Sequence, residues 1–349
     1  MTEVLYSPET IDYGEVAEAD PLSLDDRLLT LPLKNAAANT EALQADLEFA
    51  VDTLDEASMS ALSLVDSYAA LRDIDFLAAS LVRHGVDPIT SIPGLETRLL
   101  QLSERTGTIP RGTVYTYAGF NPEGERQRSF TGSAEENLFI TAVRQSVFTL
   151  DEATFSLSAI TRQSSGQTIG DSLAYANAAC DEMTTAIVAV HRGIPPHYFT
   201  NELRPYFDPL VIGGQAYTGA GGAQLQLLAI DHMLWGIEEH DPAYRTFYEE
   251  NYPYLSPEQR EALQSFVENN DGQSLVTRVL DSKNPELAKQ LATTVRKIRR
   301  FRYPHKRVAD DNFKLRPENA VGSGSYRPDI LGRLIMLTEA RLHTLDQSL

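Results

Sequence analysis

Residues 284–307 read NPELAKQLATTVRKIRRFRYPHKR, and the rest of the chain is best read outward from them. Asn284 followed by Pro285 is a strong helix start, a cap and then a first-turn residue whose missing N–H is not needed there. Leu287, Leu291, Val295 and Ile298 recur every three or four residues, the pattern of one apolar helical face. That helix leads into a cationic run in which seven of the twelve residues 296–307 are basic: Arg296, Lys297, Arg299, Arg300, Arg302, Lys306 and Arg307. His305 lies inside the run, directly after Pro304. The proline cannot donate to the carbonyl of Arg300, so a kink or a helix restart is expected just before the histidine. A neutral imidazole is a common metal ligand. Two readings of His305 are open here: the axial ligand of a haem iron, or an ordinary histidine on a solvated basic face.

Composition narrows the function classes. The 349 residues suffice for one large or two ordinary domains, and 42% apolar with 23% charged residues is a globular balance. No run approaches the ~20 apolar residues that cross a bilayer. The first residues, MTEVLYSPETIDYGEVAEADP, are acidic and lack a basic-then-apolar leader pattern, so export is not expected. Cys180 is the only cysteine, which excludes an internal disulfide and fits a reducing, cytoplasmic location. Against a net charge of -19, a nucleic-acid partner is disfavoured, because phosphates need a broad positive footprint.

The pattern along the chain is helical. Residues 1–35, with Pro8, Pro21 and Pro32, read as an extended arm. Leu64, Tyr68, Leu71, Ile74, Ala78 and Leu81 predict one helical face. Residues 105–132 break the rhythm with glycine, proline and aromatics and read as a long connection. Ser133 and Glu136 have capping-box spacing for the next helix, whose stripe is Phe139, Val143, Val147 and Leu150. Leu173, Ala176, Cys180, Met183, Ile187 and Val190 form another stripe, which makes Cys180 a buried core thiol. The stretch 204–222, RPYFDPLVIGGQAYTGAGG, is glycine-rich enough to let backbone approach a flat ligand. A nucleotide loop has weak support there, since neither a β-branched strand nor a Walker lysine accompanies it. A helix should follow and stop near Gly236, and a last one should run over 328–343 with Leu331, Leu334, Thr338 and Leu342 inward. The chain reads as all-α, in a smaller N-terminal region (1–128) and a larger region (129–349).

The chemistry-bearing residues are few. None of the seven histidines forms an HExxH or i, i+4 pair, so a zinc site has no support, whereas a single histidine suits a macrocycle that brings its own donors. His191 and His343 lie near helix C-termini, where the dipole alone favours them. His232 in IDHMLWG reads as a core histidine. No GxSxG elbow is present, so hydrolase chemistry has little support. Asp310 and Asp311 could neutralise the basic run or hold a substrate ammonium.

Seven segments, in order, resemble one family: AALRDIDFLAASLVRHG (69–85), PGLETRLLQL (93–102), FNPEGERQRSFTG (120–132), NELRPYFDPLVIGGQAYTGAGG (201–222), DHMLWG (231–236), RFRYPHKRVA (300–309) and GSGSYRPDILG (322–332). The family is that of monodechloroaminopyrrolnitrin synthase, a haem enzyme that rearranges chlorotryptophan, within the indoleamine and tryptophan 2,3-dioxygenase superfamily. The resemblance implies a larger helical domain of the indoleamine 2,3-dioxygenase type over 129–349, holding haem b. It implies that His305 is the proximal iron ligand, and that Gly213, Gly214, Gln215 and Ala216 form the loop over the distal haem face. Gly322, Ser323 and Gly324 then match the turn near the amino and carboxylate groups of an amino-acid substrate. The family has a substrate-contacting tyrosine eight residues after the histidine, where this chain has Phe313. Losing that hydroxyl removes a hydrogen bond worth ~1 kcal/mol and bears on which substrate fits.

These readings give an expected activity: a histidine-ligated b-type haem enzyme using dioxygen or peroxide on a free L-amino acid. Tyr115, Tyr117, Phe120, Phe130 and Phe313 in the implied pocket segments favour a tryptophan-like substrate. The alternatives are N-oxygenation of a side-chain amine such as that of lysine, and a non-catalytic haem sensor or carrier. One or two residues of the basic run, Arg302 among them, are expected at the haem propionates, because charge-assisted hydrogen bonds are the strong ones. A homodimer is an open expectation, and no membrane partner is expected.

Overall fold

In the computed structural model the described residues are 11–220, 226–236, 241–315 and 329–348. The N-terminal part holds α1 (Tyr13–Glu18), α2 (Asp25–Leu29), α3 (Leu31–Ala36), α4 (Thr40–Thr53), α5 (Glu56–Ala61), α6 (Leu64–Arg83), α7 (Pro88–Ser91) and α8 (Leu95–Thr106). Two long helices follow, α9 (Ala134–Ser158) and α10 (Gly166–Gly193), then the single turn α11 (Pro196–Tyr198). The strands β1 (Leu210–Ile212) and β2 (Gln215–Tyr217) make one small hairpin. The remainder is α12 (Gln226–Trp235), α13 (Pro242–Asn251), α14 (Pro257–Asn269), α15 (Leu275–Ser282), α16 (Pro285–Phe313) and α17 (Asp329–Gln347). The fold is all-α. Among the described residues no helix is long and apolar enough to cross a membrane.

Two hydrophobic clusters fill the interior. The first gathers Val16 to Val147 together with Ala186 to Ala220, and the second runs from Leu150 to Leu345. Both draw on α9 and α10: Val143 and Val190 belong to the first, Leu157 and Met183 to the second. The pair α9–α10 is therefore the spine shared by both. Cys180 sits in the second cluster as a fully buried thiol, and burial pushes its pKa up to about 12. It packs as a small apolar group.

The N-terminal segment departs from the extended arm that its prolines suggest. From residue 11 it is short helices, with Val16, Leu22, Leu24, Leu28 and Leu31 buried. The cause lies on α6, which is buried on every face from Ser67 to Leu81 rather than along one stripe. Arg72 is fully buried there and donates to the carbonyls of Val16 (2.8 Å), Ala19 (3.0 Å) and Phe120 (3.0 Å) while pairing with Asp73. Arg128 pairs with the same Asp73 and with Asp25. Buried charges need partners on all sides, so the arm and residues 108–131 are drawn onto α6.

The connection 105–132 is likewise not a surface linker. Residues 109–122 are all buried, with a π-helical turn at Tyr115–Gly119. Side chains satisfy its backbone: Asn121 donates to the carbonyls of Tyr117 and Arg128, each at 2.8 Å, and Arg144 donates to those of Ala118 and Asn121, each at 2.9 Å. At the start of α9, Ser133 caps the amide of Glu136 as expected. The Glu136 side chain does not close the box. It accepts instead from the amides of Phe130 and Thr131 and from the hydroxyls of Thr131 and Tyr117.

The glycines at 213 and 214 are explained first by the hairpin. Its register pairs Ile212 with Gln215, leaving a two-residue turn, and both glycines have positive φ, 60° and 79°. Such turns need left-handed residues at both central positions. Nothing lies within 4 Å of a Cβ added at Gly214. Gly214→Ala is therefore expected to lower stability in urea unfolding by about 1 kcal/mol, through backbone strain alone. An unchanged midpoint would mean that the turn does not hold this conformation.

Candidate functional site

The candidate site is organised by α16. Asn284 accepts from the amides of Glu286 and Leu287, and Pro285 occupies the first turn, so the helix starts where its sequence says. Leu287, Leu291, Val295, Ile298 and Phe301 are buried, each contributing roughly 1.5–3 kcal/mol of apolar burial. The helix continues through Pro304 as one element to Phe313, so of the kink or restart expected there no restart occurs. Because Pro304 has no N–H, the helix gives up one ladder hydrogen bond at Arg300. From Tyr303 to Leu315 no residue is buried, although Val308, Ala309 and Phe313 are apolar.

His305 lies on this half-buried end. Its ring is 5.3 Å from that of Phe301, and neither nitrogen has a hydrogen-bond partner among the described residues. Burial, with Arg302 one turn earlier as the lesser cause, pushes its pKa down to about 4. The residue as a whole is only half-buried, while its ring is strongly desolvated. At neutral pH the imidazole is uncharged with a free nitrogen lone pair, the form that ligates a metal.

Beneath it, Arg302 turns inward. Its guanidinium is buried, bound to the carboxylate of Asp231 and the hydroxyl of Thr338, and lies 5.5 Å from the centre of the Trp235 ring. Burial pushes Asp231 up to about 6 against the opposing pull of Arg302. Asp231 and Trp235 sit four residues apart on α12, the spacing that puts two side chains on one face. Their neighbour His232, a core histidine by its sequence context, is only half-buried and packs its ring 5.0 Å from that of Tyr248. An acidic residue and a tryptophan at that spacing, in an otherwise apolar helix, were the available signal for a buried ion pair.

The basic run is largely paired with acids. Arg296 binds Asp346 and Lys297 binds Asp181, while Lys306 binds Asp310 (2.6 Å) and Lys314 binds Asp311 (2.7 Å). The two aspartates after His305 therefore neutralise nearby lysines. Arg299 and Arg300 form no ion pair among the described residues.

The other expected site residues fall in three places. Phe313 ends α16, half-buried, eight residues beyond His305. Gly213, Gly214, Gln215 and Ala216 form the exposed tip of the hairpin, where the Gly213 amide donates to Glu96 of α8 at 2.7 Å. Gly322, Ser323 and Gly324 lie outside the described residues. Of the five expected pocket aromatics, Tyr117 and Phe130 stack into the first cluster with Tyr206 and Phe207, whereas Tyr115 and Phe120 line a cavity away from α16.

A family model described as monodechloroaminopyrrolnitrin synthase PrnB matches residues 33–348. The chain belongs to that family. It is a family of haem-dependent oxygenases of secondary metabolism within the indoleamine and tryptophan 2,3-dioxygenase-like superfamily, and the chain is accordingly an enzyme of oxidative haem chemistry. The residues on α16 fit such a group. His305 offers a neutral imidazole, unpartnered among the described residues, on a half-buried helix end, which is what a single protein ligand to a macrocycle requires. Cys180 offers no rival thiolate, and no cluster of three or more candidate metal ligands occurs among the described residues.

Proposed function

We propose that this enzyme holds haem b through His305 and oxidises or rearranges a free, tryptophan-like L-amino acid with dioxygen or peroxide. The observation that carries the reading is the state of His305: uncharged, desolvated and, among the described residues, without a hydrogen-bond partner, at the end of a long helix whose last turns are only half-buried. When bound, the haem supplies the activation of the oxidant, and the protein supplies binding, orientation and exclusion of water. Phe301 fixes the imidazole plane by ring contact, and Arg302 fixes the preceding turn through Asp231 and Thr338. Arg299 and Arg300, unpaired with any acid among the described residues, are the free cations of the basic run for the propionates. The hairpin residues Gly213–Ala216 would approach the opposite face, and Gly322, Ser323 and Gly324 would receive the α-ammonium and α-carboxylate, where small residues let backbone amides reach an anion.

Phe313 favours a second reading. With no hydroxyl at this position, the site is less suited to the polar ring contact its family makes, and N-oxygenation of a side-chain amine becomes the alternative. Titrating the haem-loaded protein with free amino acids, followed by absorption, separates the two. Tryptophan and its ring-substituted relatives are expected to shift the Soret band, with Ser323→Ala weakening them by roughly fivefold, about 1 kcal/mol. Their α-deaminated analogues should be indifferent to that substitution. A shift with lysine alone would select the amine reading, and no shift with any amino acid would end both.

A further inference from the structure

A second candidate binding site lies at the seam between the two hydrophobic clusters. Here a cavity of about 40 Å³ is walled by α1, α6, the 108–120 segment, α9 and α14. None of its walls comes from α16 or α17, so it is separate from the His305 end. By volume it admits roughly three water-sized groups. The walls combine the rings of Tyr13, Tyr68, Tyr115 and Phe120 with two carboxylates, Asp151 and Glu258.

The phenol hydroxyls are committed to protein acceptors. Tyr13 and Tyr115 donate to Asp151, the latter at 3.4 Å, and Tyr68 donates to the Thr106 carbonyl at 2.9 Å. What they offer an incoming group is ring surface. Asp151 is buried and held by three neutral donors, the third being the amide of Gln259, and among the described residues no cation pairs with it. The Glu258 carboxylate is half-buried and has no hydrogen-bond or ion-pair partner among the described residues. Arg111 is the one cation among the lining residues, and its guanidinium is bound to Asp75 and faces the carbonyls of Tyr206 and Asp208. The balance of the site is negative and aromatic.

We infer that this cavity binds the protonated primary amine of a small ligand, with the ammonium on Glu258 and against the tyrosine rings. A primary ammonium carries three donors for a carboxylate and neighbouring hydroxyls, and ring faces attract it through their quadrupole. An anion is repelled here, and a neutral group leaves Glu258 unused. The inference does not depend on the haem reading.

The test is saturation-transfer NMR on the full chain with ethylammonium, at fixed ionic strength, with ethanol and acetate as the neutral and anionic controls. Saturable binding is expected for ethylammonium alone. Glu258→Gln should weaken it about tenfold, the scale of one charge-assisted hydrogen bond, without disturbing the fold because this side chain holds no partner among the described residues. Affinity should also rise as Asp151, pushed up to about 7 by burial, ionises and adds a second negative charge to the cavity. His305→Ala should leave the binding unchanged, which keeps this result apart from the fate of the haem site. Absence of saturable ethylammonium binding, equal binding of ethanol, or an unchanged affinity in Glu258→Gln overturns the inference.

Discussion

His305→Ala is expected to abolish the Soret band of the purified protein, or to leave haem so loosely held that gel filtration removes it. The effect should be near-complete because α16 carries no other histidine, Cys180 is a buried core thiol, and the family's single-ligand chemistry allows no substitute. The apoprotein should remain folded, since among the described residues His305 makes no hydrogen bond that its loss would orphan and its one ring contact is with Phe301. Added imidazole should restore part of the Soret intensity in the variant by occupying the position of the lost ring. Wild-type haem content and spectrum in His305→Ala would remove the assignment. Far-ultraviolet circular dichroism on the same sample checks that any loss is not global unfolding.

The second large effect is expected from Asp231→Ala. Both partners of the Asp231–Arg302 pair are almost fully buried, so removing the acid leaves an uncompensated guanidinium inside the second cluster. Breaking such a pair costs roughly 3–5 kcal/mol. Urea unfolding of the apoprotein is the direct measurement. The double variant Asp231→Leu with Arg302→Met should recover most of the loss, because two apolar side chains of similar volume relieve the buried charge altogether. If the single substitution costs under about 1 kcal/mol, the pair is solvated and the geometry drawn for it is wrong. In the haem-loaded protein the single variant should also lose cofactor faster than wild type, since Arg302 anchors the turn that precedes His305.

Sequence periodicity and capping determined the elements that rest on local rules. The helix α16 begins at Pro285 behind its Asn284 cap and buries Leu287, Leu291, Val295 and Ile298 as the spacing requires. The helix before Gly236 ends at Trp235, and Cys180 is a core thiol. Each of these follows from contacts within one or two helical turns. The ordered motifs from 69 to 332 likewise carried the family, which the match over 33–348 bears out.

Tertiary structure alone decided the pairings between distant residues. Arg72 and Arg128 look in sequence like solvated charges, and only the convergence of α1, α6 and residues 108–131 makes them a buried lattice around Asp73. The arm packs as helices because Arg72 binds its carbonyls, a contact across more than fifty residues. Glu136 abandons its capping role for Phe130 and Thr131, since a buried carboxylate takes the donors that the fold brings to it. Asp151 and Glu258 come to share a cavity only when α9 and α14 pack together. A residue's local sequence sets its propensity and its chemistry. Whether its charge is solvated, paired or left facing a cavity depends on which remote segments exclude water from it, and that is settled only when the chain has folded.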